Sequence, residues 1–242
     1  MRNGFSFAGA LAIALGLAAA GIFVGQGFMK GRASDRYVTV KGISERDVRA
    51  DIALWPLTFV STDDDLDRAQ SMMEEAKEAI LAFLSEQGID KSDVELQRLE
   101  VTDALANPYR TGPVENRYII SQTLMVRSEN VDVIQSASQK VGELVEAGVV
   151  LSTGPSYSSG PTFLFTRLTE LKPEMIKEAT ANARASAEQF AMDSGSRLGG
   201  IRKANQGVFV ILPRDRAPGI QEANQPNKTV RVVSTIEYYL KD

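Results

Sequence analysis

Apolar and polar positions alternate along most of this chain, with three long interruptions of helical period. Tyr37 to Lys41 (YVTVK) alternates and predicts a strand, followed by a polar connection from Gly42 to Asp51. Ile52 to Ser61 (IALWPLTFVS) predicts a second strand, and Pro56 in its middle predicts an edge position or a bulge. Leu66, Ala69, Met73, Ala76, Ile80, Phe83 and Leu84 then recur at helical spacing up to Gly88. Val94 to Thr102 and Arg117 to Arg127 predict a long hairpin around the Pro- and Gly-containing loop 104–116. Asn130 caps a helix through Ile134, Ala137, Val141, Leu144 and Val145, which Gly148 closes. Val149 to Leu151 and Pro161 to Arg167 predict strands flanking a Ser/Gly-rich turn.

The stretch Lys172 to Gly200 predicts the longest helix of the body. Ala179, Ala183, Ala187 and Ala191 place small residues on one face, where they let the helix approach a sheet closely. Ile176, Phe190 and Leu198 flank that seam, with Phe190 filling the space beside it. Pro173 fits a first turn, and Gly199 and Gly200 supply a stop. Ile201 to Leu212, broken at Gly207, and Val230 to Leu240 predict the closing strands. The order β-β-α-β-β-α-β-β-α-β-β predicts an α+β fold of antiparallel strand pairs alternating with three helices.

Ahead of this body, Phe5 to Val24 (FSFAGALAIALGLAAAGIFV) holds no charge, with Arg2 before it and Lys30 and Arg32 after it. It is close to the ~20 apolar residues that span a bilayer. A cleaved signal peptide using Ala18 and Ala20 is the competing reading, and the apolar run past that point favours an uncleaved transmembrane anchor. The expected organisation is an anchor or signal over residues 1–34 and one domain over 35–242, with membrane contact through residues 5–24.

Composition narrows the chemistry. The chain has no Cys and no His, which excludes thiolate and imidazole metal sites, Cys nucleophiles and His-dependent triads. It carries 27 Lys and Arg against 31 Asp and Glu, net −4, and the basic residues Arg2, Lys30 and Arg32 face no acidic residue within 1–34. The body is therefore more acidic than the whole, and nucleic acid is not an expected partner. Asp63, Asp64, Asp65 and Asp67 lack the spacing of a calcium loop and precede a helix, where carboxylates satisfy free N–H groups. A carboxylate-only hydrolase would draw a pair from these or from Glu95 and Glu100, but nothing fixes such a pair. No cofactor and no catalytic residue is assigned. Candidate ligand or partner contacts are Trp55, Tyr109, Arg110 and Tyr157, for which buried or solvated structural roles are the alternative.

Four fragments carry a family resemblance. They are Tyr37-Val38-Thr39-Val40-Lys41-Gly42; Arg49-Ala50-Asp51-Ile52-Ala53; Ile89-Asp90 with Asp93-Val94-Glu95-Leu96-Gln97; and the Ala-rich helix into Gly195-Ser196-Arg197-Leu198-Gly199 with the closing strand. In order and spacing the chain resembles the SIMPL domain (DUF541) family, which includes periplasmic immunogenic proteins. Arg49 and Ala50 depart from the family's Pro before the Asp. The resemblance implies an α+β domain in the cell envelope that self-assembles into ring-like or channel-like oligomers, with some members linked to oxidative stress tolerance. It implies no catalytic residues. The heavier positive flank after the apolar run argues for a cytoplasmic body. The resemblance argues for a periplasmic one behind an inner-membrane anchor, and the latter is taken as the expectation, with a soluble periplasmic protein as the alternative.

Overall fold

The computed structural model describes residues 7–33, 36–106, 113–152 and 160–242. The chain divides into two compact units, one of Met1–Ser44, Pro173–Phe209 and Val232–Asp242, the other of Glu45–Lys172 and Val210–Arg231. The architecture is α+β, with two antiparallel sheets and five helices among the described residues.

The second unit is built on β2 (Ile52–Asp63), where every other residue from Ala53 to Ser61 is buried. β2 pairs along its whole length with β4 (Tyr118–Ser128), which pairs in turn with β3 (Val94–Asp103) as the predicted hairpin. The short β5 (Thr162–Leu164) covers only Ile52 to Leu54, giving the order β3-β4-β2-β5. Pro56 thus lies past the end of β5, on a stretch where the missing N–H disturbs no pairing; its partner Met125 is in register on the other side.

α2 (Leu66–Glu86) packs Ala69, Met73, Ile80, Phe83 and Leu84 against that sheet. It starts at Asp65, whose carboxylate accepts from the N–H groups of Asp67 and Arg68, and this bears out the capping reading. It stops at Gly88, where φ is +80° and Ile89 N–H donates to the Leu84 carbonyl. The single helix expected after Asn130 is instead two, α3 (Val131–Gln139) and α4 (Gly142–Glu146). Tight i to i−3 bonds at Lys140, Glu143 and Leu144 break the α-helical ladder between them. The strand expected at Val149 to Leu151 is reduced to one bridge between Leu151 and Phe59.

In the first unit, α5 (Leu168–Asp193, its first turn belonging to the second unit) carries the alanine stripe as expected. Ala179, Ala183, Ala187 and Ala191 are buried, with Met175 continuing the row. Three details differ from the sequence reading. The helix begins a turn earlier, so Pro173 is interior and leaves one ladder bond unmade. It stops at Gly195 with φ +66°, because that is the glycine in the left-handed conformation; Gly199 and Gly200 lie in β6 (Arg197–Gln206). Phe190 is half exposed and does not fill the space beside the stripe.

Val38 and Val40 of β1 (Tyr37–Arg49), Ala183 and Ala187 of α5, and Ile236 and Tyr238 of β8 (Asn227–Lys241) form the core of this unit. Strand order is β1-β8-β6, with β7 (Val210–Pro213) pairing the early part of β8. β1 runs from Tyr37 to Arg49, well past the expected end at Lys41. Its buried positions there are Gly42 and Ser44, so no apolar alternation marks the strand. Gly42 meets α5 backbone to backbone: a Cβ there would lie 1.8 Å from the Ala179 carbonyl oxygen. Asn182 locks the contact by donating to the Ile43 carbonyl at 2.8 Å.

α1 (Phe7–Ala33) is helical, as the apolar N-terminal run predicts, but the expected transmembrane helix is not supported. Among the described residues no helix is long and apolar enough to cross a membrane.

Candidate functional site

β3 is the end strand of its sheet, and almost all of it is exposed. α2 lies over β2 and β4 and leaves β3 uncovered. The result is an apolar groove of about 270 Å³. Leu66 and Met73 with the polar Gln70, Glu74 and Lys77 form its α2 wall, Ile120 and Gln122 of β4 its floor, and Leu96, Leu99 and Val101 its β3 side. These three β3 side chains are 58%, 56% and 52% exposed, a row of large apolar groups that one copy of the chain does not bury. The register slips between Leu96 and Arg98, so Gln97 is an extra residue in β3 that keeps Leu99 and Val101 on the groove side. Arg98 and Glu100, two apart on the strand and so on the face away from the groove, form an ion pair at 2.7 Å.

Three carboxylates of the acidic run at the start of α2, those of Asp63, Asp64 and Asp65, are engaged in structure. Asp63 accepts from Asp65 N–H and from Arg68 at 2.8 Å. Asp64 accepts from Arg117 N–H, and the Arg117 guanidinium donates to Asp103 at 2.9 Å. The backbone N–H of Asp65 and then Arg68 hold the Asp63 carboxyl below its ordinary value, and Arg117 does the same for Asp103. Among the described residues no three acidic side chains come together as a metal site.

A second feature of the same unit is a cleft of about 580 Å³ lined by side-chain amides: Gln135 and Gln139 of α3, and Gln221 and Asn224 around the 3-10 turn Glu222–Asn224. Ser138, Gly160, Pro161 and Phe163 complete the lining, which holds no ionisable group. Amides both donate and accept, so the surface suits a neutral polar group. Beside it Lys228, buried in full, donates to the Glu222 carbonyl at 2.7 Å and pairs with its carboxylate, which fixes the turn.

Of the candidate contacts read from sequence, Trp55 is 2% exposed and packs in the core of the second unit. Tyr109, Arg110 and Tyr157 lie outside the described residues. The groove was not singled out in the sequence, although a signal was present: the apolar residues of β3 fall at 94, 96, 99 and 101. The interval of three in a period-two strand marks the bulge.

Comparison with curated proteins finds no match. Among solved structures, the regulatory subunit of aspartate kinase from Thermus flavus is similar at 16% identity over 82% of this chain and 89% of that one, with a TM-score of 0.19. A hydrolase from Listeria innocua matches at 14% over 78% and 90%, with a TM-score of 0.20. Scores this low lend neither protein's architecture nor its activity to this chain. The model of a family described as SIMPL, protein of unknown function (DUF541), matches residues 38–238. That match takes in β2, the bulged β3 and the alanine stripe of α5, and the chain belongs to the SIMPL family.

Proposed function

We propose that this chain is a non-enzymatic protein of the cell envelope that works as an assembled scaffold in the periplasm, held at the inner membrane by the apolar surface of α1 without crossing it. The reading is carried by apolar surface that a single copy leaves uncovered, in two places. Leu11, Ile13, Leu15, Leu17, Ile22, Phe23 and Val24 of α1 are all more than half exposed, with no polar face to set against water. A helix apolar on every side belongs in a core or a bilayer. The groove beside β3 is the second place, and it favours assembly. Asp63 and Asp103 are held low by their hydrogen bonds to backbone N–H groups and to Arg68 and Arg117, which suits a structural role for these two carboxylates. A link to oxidative or envelope stress tolerance belongs to the same proposal, on the family resemblance alone.

Membrane fractionation of cells expressing the full chain tests the tether. Retention in the membrane pellet after a carbonate wash is the expected result. Recovery of a soluble species lacking the residues before about Gly21 would overturn the tether and favour a free periplasmic assembly. The amide-lined cleft favours a second reading, a binding module for a neutral polar ligand. A thermal shift with neutral oligosaccharides that Gln139→Ala and Asn224→Ala abolish would support it; no shift across such a panel would remove it.

A further inference from the structure

The contact through which copies assemble can be named, an inference that rests on the assembled reading above. We propose that β3 of one copy pairs antiparallel with β3 of a second copy, about a two-fold axis at Leu99. Among the described residues the outer edge of β3 carries no neighbouring strand, which is the arrangement that invites strand addition. A two-fold axis normal to the sheet keeps both groove faces on the same side. Residues can then lie opposite each other only when they share a face, so the axis must pass through a residue position.

The charges select which one. An axis at Arg98 places Arg98 against the partner's Arg98, and an axis at Glu100 places Glu100 against the partner's Glu100. An axis at Val101 gives neither charge an opposite. An axis at Leu99 puts Arg98 opposite the partner's Glu100, and Glu100 opposite the partner's Arg98. The Arg98–Glu100 pair within each strand thus becomes a four-charge network. On the groove side the same axis brings Leu99 against the partner's Leu99, covering side chains that are 56% exposed in one copy. The extra residue at Gln97 interrupts regular pairing on each side of this centre. A contact limited in this way closes at two copies and does not template an open-ended sheet.

The absence of cysteine makes the test direct. Leu99→Cys in the full chain, solubilised in detergent and treated with oxidised glutathione, is expected to give a disulfide-linked dimer, because cross-strand Cβ atoms at a two-fold lie about 5 Å apart. Val101→Cys, on the same face, is not, since in this register the two thiols sit about 13 Å apart along the strands. Arg98→Glu or Glu100→Arg alone is expected to weaken dimerisation about ten-fold or more, and the double exchange to restore it. Circular dichroism of each variant separates unfolding from loss of contact. Light scattering separates the two levels of the claim. A wild-type assembly that neither cross-links at Leu99 nor responds to the charge reversals overturns this contact and leaves assembly standing. A monomer at every concentration overturns both. Cross-linking at Val101 and not at Leu99 overturns the register, and with it the proposal; binding of an extended peptide along β3 without self-association does so as well.

Discussion

Gly42→Ala tests the packing of α5 on β1 with a single methyl group. The added Cβ would lie 1.8 Å from the Ala179 carbonyl oxygen, 2.4 Å from the Ala183 nitrogen and 2.8 Å from the Ala183 Cβ. Two of these are backbone atoms of a long helix, so no side chain can swing aside. Helix and strand must separate by about 1.5 Å to restore van der Waals contact. Overpacking in a well-filled core costs about 1–3 kcal/mol, and a backbone obstruction belongs at the upper end. Replacing glycine also lowers the entropy of the unfolded chain, which offsets about 0.4–1 kcal/mol. A net loss of about 2 kcal/mol remains, or roughly 4–8 °C in melting temperature for a chain of this size. Gly200→Ala is the control, because a Cβ there meets nothing within 4 Å and should be neutral or slightly stabilising. Urea denaturation of both variants beside wild type measures the difference. Equal stability of the two would refute the close approach of β1 to the alanine stripe.

Other expectations are as direct. Asp65→Ala removes the acceptor for two N–H groups of α2 and should cost about 1 kcal/mol by denaturant titration, with Asp65→Asn recovering most of it. Glu222→Ala leaves the buried Lys228 ammonium without its carboxylate and should cost about 3 kcal/mol, whereas Glu222→Gln, which keeps a polar partner, should cost less; equal melting of all three proteins would contradict the pairing. Acid should weaken the fold through Asp63 and Asp103. Both folded values lie below the ordinary 3.8, so the unfolded chain binds more protons there and stability rises with pH. Their contribution is complete above the unfolded value and is lost as pH falls through the folded one. Denaturation at pH 5 and pH 3 should therefore show a smaller drop for Arg68→Gln than for wild type.

Where burial follows periodicity, the sequence was a good guide. The β2 alternation, the α2 face and the alanine stripe are read from apolar spacing and appear as such in the structure. So are the hairpin of β3 and β4 and the acidic cap at Asp65. What escaped is where something other than apolar side chains makes the contact. β1 continues to Arg49 on a buried glycine and serine, which no hydropathy pattern records. The stop of α5 falls to Gly195 and not to Gly199–Gly200, because chain direction at each glycine is a property of the fold, and Gly199 is needed where its strand passes the Tyr239 carbonyl. Phe190 was assigned to the seam for its size, yet one position of helical rotation leaves it half exposed. The groove was hidden for a related reason. Alternation places Leu96, Leu99 and Val101 on a strand, and only the placement of α2 over β2 and β4 shows that no described element covers them.

The mass of the full chain, released from membranes in detergent and followed by light scattering over a hundred-fold range of concentration, tests the central claim most directly. The account predicts a dimer or a larger multiple of 26.3 kDa after correction for detergent. A mass of one chain throughout would contradict assembly, and leave the exposed row on β3 to a partner of another kind.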